Sequence, residues 1–138
     1  MVNKFLGDGF MALFGVGETS ENHAVQAVQA AQAMLTSLQT INQHLNSQGQ
    51  PSLAMGIGIH TGVAVVGSIG SNRRLEYTAI GNTVNIASRV EALTKEVKIP
   101  LLMTDATQQL LPSSVLTEEL PPQMVKGQSQ PLSIYCLQ

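Results

Sequence analysis

The chain has 138 residues, 43% hydrophobic and only 12% charged, enough for one domain with a real core and too apolar for a disordered segment. A net charge of −2 with few, scattered basic residues gives no electrostatic footprint for nucleic acid, and the single cysteine, Cys136, excludes an internal disulfide framework and fits a reducing compartment. No apolar stretch approaches the roughly 18 residues that cross a bilayer, and "MVNKF" lacks the features of a signal peptide. The expected setting is cytoplasmic, with no membrane insertion by this segment, although a longer parent could be tethered elsewhere.

With no Trp and aromatics at 4%, the core must be aliphatic. Two short apolar runs, residues 2–6 and 10–14, flank "GDG" and predict a hairpin. After "GVGETSE", Thr19 or Ser20 can cap a helix. Ala24, Val28, Ala31, Leu35, Leu38 and Leu45 recur along one face of it, and Gly49 and Pro51 end it. Leu53, Met55, Ile57 and Ile59 then alternate with Ala54, Gly56, Gly58 and His60, the period of a strand. Its second face is nearly bare, which signals a close backbone or ligand.

A second strand is expected over residues 63–69, after a turn at Thr61 and Gly62, and then a polar loop "GSNRRLE". Ile86, Val90, Leu93 and Val97 form the apolar stripe of another helix. "IPLLMT" reads as a short strand, "TDATQQLL" as a short helix capped by Thr104, and the tail as strands separated by turns. The predicted order is ββαββαβαβββ, an α+β domain with helices on a mostly antiparallel sheet.

Few residues suggest chemistry. Asp8, at a hairpin tip, could offer a rigid carboxylate to Mg²⁺, which takes oxygen ligands from carboxylates and substrate phosphates, although Gly-Asp-Gly alone makes a good turn. Asn85 and Arg89 share a helical face and could converge on a phosphate, although a lone helical Arg is usually solvated. Lys126, in "MVKGQ", could reach a phosphate or be a plain turn lysine, and Lys4 means nothing by itself. His23, His44 and His60 lack metal-ligand spacing and read as structural or surface residues. "GVGETSE" lacks the ending of a Walker loop.

In order, "NKFLGDGFMALFG", "GIGIHTGVAVVGSIG", "EYTAIGNTVNIASRVEALTK" and "VKG" closely resemble the catalytic domain of class III nucleotide cyclases, over nearly the whole chain. The resemblance implies a ferredoxin-like cyclase fold over residues 1–138. It implies conversion of ATP to 3′,5′-cyclic AMP and pyrophosphate, with two Mg²⁺ or Mn²⁺ ions held by two aspartates. Asp8 matches the second of these. Asn85 matches the residue that orients the ribose, and Arg89 the one that stabilises the transition-state phosphate. Lys126 matches a contact to the terminal phosphates. Arg73, or Arg74 in the same loop, falls where another phosphate contact occurs. Lys4 and Thr78 match the adenine-reading positions of the adenylyl members, which implies ATP over GTP.

The family's first metal aspartate lies in a segment resembling "F-x-D-I-x-x-F-T", which has no match here. The expectation is therefore a partial domain lacking its first strand and helices, with little or no turnover alone. Family sites form between two catalytic domains, and this chain carries residues of both kinds, which implies a homodimer with interfacial sites. The rival readings are a non-catalytic cyclase-like module that binds nucleotide or dimerises, and a guanylyl cyclase, which Lys4 and Thr78 disfavour.

Overall fold

The fold is seen in a computed structural model that describes residues 2–16, 22–71 and 74–138, with backbone alone at 2–6, 69–71 and 74–78. The expected hairpin is present. Strand β1 (Val2–Leu6) pairs antiparallel with β2 (Gly9–Ala12), with Leu6 opposite Gly9, so Gly7 and Asp8 alone make the connection. Gly7 has φ +62°, as tight two-residue hairpin turns require.

Helix α1 (His23–Ser47) begins with Asn22 at its N-cap position; Thr19 and Ser20, the expected caps, lie outside the described residues. Ala24, Ala27, Val28 and Ala31 are buried. Farther along the predicted stripe Leu35, Leu38 and Leu45 are only half-buried, and Ile41 is exposed. A helix of 25 residues, about 37 Å long, outruns the short strand β3 (Ile57–Ile59) that it meets. Backbone bonds from Gly49 to Asn46 and from Gln50 to Leu45 close the helix before Pro51.

The strand expected from Leu53 onward starts only at Ile57. The Leu53 N–H donates to Asn42 Oδ1 at 2.7 Å, and Asn42 Nδ2 donates back to the Leu53 carbonyl at 2.9 Å. A side chain of α1 thus takes the backbone groups that a sheet partner would have used. The bare face of β3 is explained by α2 (Asn82–Val97). A Cβ on Gly58 would lie 2.3 Å from the Glu91 backbone nitrogen and 2.8 Å from the Ala87 carbonyl oxygen. Glycine lets helix and strand touch backbone to backbone.

Between them runs a second hairpin, β4 (Val65–Ser71) and β5 (Arg74–Ile80), in register from Val65–Ile80 to Ser71–Arg74. This corrects the predicted strand over 63–69 and the polar loop after it. A ladder of backbone bonds tolerates polar sequence, so composition concealed the second strand.

Strands β6 (Leu101–Thr104), β7 (Thr117–Glu119) and β8 (Ile134–Leu137) join β3 in a sheet of order β3-β6-β8-β7. The β3–β6 pairing is parallel and the other two are antiparallel. The sheet is therefore mixed. The tail supplies two strands and an isolated Gln123–Leu132 bridge, and the order is ββαβββαβαββ, counting the short helix α3 (Asp105–Gln108).

The fold class is α+β, as expected. Ile86, Val90 and Leu93 of α2 pack with Leu102, Val125, Ile134 and Cys136 in the main buried cluster. Each such aliphatic side chain contributes about 1.5–3 kcal/mol when fully buried. Among the described residues, no helix is long and apolar enough to cross a membrane.

Candidate functional site

Because Ile86, Val90 and Leu93 face the core, the adjacent stripe of α2 is turned outward. It carries Asn85, which is exposed, and Arg89, which is half-buried. Arg89 Nη1 donates to the backbone carbonyl of Lys126. That carbonyl sits in a turn closed by a 3.2 Å bond from the Gln128 N–H to the Val125 carbonyl.

Gly127 in the turn has φ +86°, and a Cβ there would lie 3.4 Å from Arg89 Nη1. The turn residue is thus small where the guanidinium passes. The Lys126 side chain is exposed. The structure therefore brings together Arg89 and the Lys126 turn, with Asn85 one helical turn away from Arg89.

Residues not singled out in the sequence hold this group in place. Gln128 Nε2 donates to Asn82 Oδ1 at 3.3 Å, a second link between the turn and α2. Thr83 Oγ1 donates to the Val63 carbonyl at 2.6 Å. These pairs are 46 and 20 residues apart in sequence, beyond any local pattern. His60 is structural, as expected. Its Nδ1 lies 2.7 Å from Thr104 Oγ1, and burial lowers its pKa from 6.5 despite the opposing field of Asp105. Thr104 occupies the N-cap position of α3, but its hydroxyl goes to His60 instead of capping the helix, while Asp105 Oδ1 accepts from the Ala106 N–H.

Asp8 is exposed at the tip of the first hairpin. Lys4 lies in β1 opposite Met11, and Thr78 in β5 opposite Gly67. Strand β1 runs close to β5, so the strands carrying Lys4 and Thr78 are neighbours. The side chains of Lys4 and Thr78 lie outside the described residues, as does Arg73 entirely.

Among the described residues no three His, Cys, Asp or Glu side chains gather as metal ligands. A carboxylate exposed at a hairpin tip still fits Mg²⁺ or Mn²⁺ in the form in which phosphate oxygens complete the shell. Two clefts, one along α1 beside Met55 and one between α1 and residues 111–116, contain none of these residues. The Asn85–Arg89–Lys126 group lies on an open face of a single chain.

Residues 3–138 match the family model described as the adenylate and guanylate cyclase catalytic domain. The chain is 36% identical over 132 residues to adenylate cyclase 1 of Rhizobium meliloti, covering 96% of the chain and 20% of that protein. It is 36% identical over 141 residues to an adenylate cyclase of Anabaena cylindrica, covering 97% and 27%.

Among solved structures, the adenylyl cyclase CyaB from P. aeruginosa superposes with a TM-score of 0.87 at 32% identity, covering 97% of this chain and 69% of that one. The guanylyl cyclase Cya2 gives 0.82 at 30%, covering 98% and 68%. The chain thus spans about a fifth to a quarter of the length of these curated relatives.

Proposed function

Since the chain belongs to the adenylate and guanylate cyclase catalytic domain family, we propose that it acts as an adenylate cyclase domain, binding ATP for conversion to 3′,5′-cyclic AMP and pyrophosphate in cytoplasmic signalling. The observation that carries this reading is Arg89, held by the Lys126 carbonyl on the helical face that also presents Asn85. A guanidinium fixed through one N–H keeps the rest of its donor fork for phosphate oxygens. Such a preorganised donor is most effective where charge grows in a transition state.

In this mechanism Asn85 orients the ribose so that its 3′-hydroxyl faces the α-phosphate, and Arg89 binds the α-phosphate as it becomes five-coordinate. Lys126 and Arg73 draw the departing pyrophosphate. Lys4 donates to adenine N1, while Thr78 accepts from the exocyclic amine or orients Lys4. Asp8 would hold Mg²⁺ or Mn²⁺ together with the phosphates, and the bound ions supply Lewis-acid activation of the ribose hydroxyl and charge neutralisation.

These 138 residues hold no match to the segment bearing the family's other metal aspartate. Turnover by them alone is accordingly expected to be slight, although nucleotide binding should persist.

In this reading the site is completed by a second copy, with Asp8 of one chain facing Lys4, Thr78, Asn85, Arg89 and Lys126 of the other. Asp8, Asn85 and Lys126 are all exposed. Beside the start of α2 lie exposed apolar side chains, Val63 (93% exposed), Val65 (64%) and Ile80 (48%), with Val65 and Ile80 paired across the hairpin. An apolar patch next to uncovered polar residues is what a homodimer would bury. Calorimetric titration with ATP and GTP, with and without Mn²⁺, tests the function. Metal-dependent binding that favours ATP is expected; no nucleotide binding, or preference for GTP, would overturn it.

A further inference from the structure

The connection between β3 and β4, residues 60–64, lies outside both strands, yet it is tied at both ends through side chains. At one end His60 Nδ1 meets Thr104 Oγ1 at 2.7 Å, and Thr61 Oγ1 meets Thr107 Oγ1 at 2.9 Å. Thr104 and Thr107 are fully buried, at the end of the central strand β6 and in α3. These anchors therefore sit in the buried interior, where local opening is costly. At the other end the Val63 carbonyl accepts the hydroxyl of Thr83, in the first turn of α2. Gly62 lies so close that a Cβ on it would come within 2.6 Å of that hydroxyl.

The start of α2 depends on outside support. Its N-cap residue, Gly81, has no side chain to cap the exposed N–H groups, and the first helical bond, from the Asn85 N–H to the Gly81 carbonyl, is 3.4 Å long. Thr83 turns its hydroxyl away from its own helix and onto the connection. Asn85 lies two residues beyond Thr83, and Arg89 one helical turn after Asn85.

We propose that residues 60–63 form a positioning strap, in which the His60–Thr104 and Thr61–Thr107 pairs fix the connection and Thr83 transmits its position to the face of α2 bearing Asn85 and Arg89. Thr83, Thr61 and His60 are positioning residues, acting through Asn85 and Arg89 without touching the nucleotide. The proposal rests on the reading of Asn85 and Arg89 as nucleotide-binding residues.

The test compares Thr83→Val, which keeps the shape and removes the hydroxyl, with Thr83→Ser, which restores it, and repeats the pair at Thr61. Hydrogen exchange is followed at the amides of residues 85–89, the first that donate within the helix, with the Arg89 Nε–H resonance and the Kd for ATP in the presence of Mn²⁺. Thr83→Val is expected to speed exchange in this stretch on the order of tenfold, shift the Arg89 resonance and weaken ATP binding, while leaving exchange in β6 unchanged. Thr83→Ser should return all three towards the parent values. Thr61→Val should act in the same direction, and Thr61→Ser should reverse it.

Unchanged exchange and an unmoved Arg89 resonance in Thr83→Val would overturn the strap. So would a change that Ser fails to reverse, since volume and not the hydroxyl would then matter. The exchange measurement needs no nucleotide. Failure of the underlying site reading would instead appear as Arg89→Ala leaving ATP binding intact.

Discussion

The guanidinium of Arg89 donates from Nη1 to the backbone carbonyl of Lys126, 37 residues farther along the chain. One hydrogen bond thereby joins the outward stripe of α2 to the turn after the Gln123 bridge, and brings the guanidinium to the backbone of Lys126, the other candidate phosphate ligand. Either residue alone would read as an ordinary surface cation. The bond gives the guanidinium a fixed place beside the turn that carries Lys126.

Arg89→Ala should weaken ATP binding by about 1.5–3 kcal/mol, roughly tenfold to a hundredfold in Kd. Arg89→Lys should recover little of this, because an ammonium cannot keep the Lys126 carbonyl and also present a planar fork to phosphate. Calorimetry measures the loss, and an unchanged melting temperature would assign it to the ligand and not to the fold.

Gly58→Ala should destabilise the domain by about 1–3 kcal/mol, the usual cost of overpacking. The added Cβ would sit 2.3 Å from the Glu91 backbone nitrogen, so strand and helix must separate. Denaturant unfolding with an unchanged m value measures this. A stability equal to that of the parent chain would mean that β3 and α2 do not meet as described.

These two sites mark how much could be read in advance. The bare glycine face of β3 was legible because alternation of Ile57 and Ile59 with Gly56 and Gly58 has few other causes. The stripes of α2 were legible because a helix repeats every 3.6 residues. What covers the glycines, and what Arg89 bonds to, were not legible, because both are contacts between segments far apart in sequence.

The strand β5 was missed for another reason. Leu75, Tyr77 and Ala79 do alternate with Arg74, Glu76 and Thr78, but the run follows directly on the polar "GSNR", so its charged half reads as a continuation of a loop until the pairing with β4 is seen. Leu53 shows the converse. Its alternation with Met55 predicts a strand, but the Asn42 amide captures its backbone before a neighbour can.

His60 gives the protein a pH dependence with a definite sign. Its pKa is lower in the folded state than the usual value of 6.5, so the unfolded chain binds the extra proton first. Its contribution to stability is complete above about pH 6.5 and is lost as pH falls through the folded-state pKa. His60→Asn keeps a polar atom near Thr104 Oγ1 and removes the titration. Unfolding free energies measured between pH 7.5 and pH 5 (about the range in which histidine titrates) should fall less steeply for His60→Asn than for the parent. Equal slopes would contradict the assignment.

Lys4→Glu should erode the preference for ATP over GTP, since a carboxylate there can accept from the guanine N1–H but repels adenine N1. Competition between the two nucleotides for the Mn²⁺-loaded chain reads the ratio directly. An unchanged ratio would remove Lys4 from base selection.

The most direct test of the account is complementation in binding. Asp8→Asn and Arg89→Ala chains are each expected to lose tight, Mn²⁺-dependent ATP binding, because each damages both sites of a homodimer. Mixed in equal amounts, they should regain it at about a quarter of the parent stoichiometry, since half the dimers are mixed and each of these carries one intact site. Failure of the mixture to recover any binding, with both variants folded and dimeric, would contradict a site in which Asp8 of one chain faces Arg89 of the other.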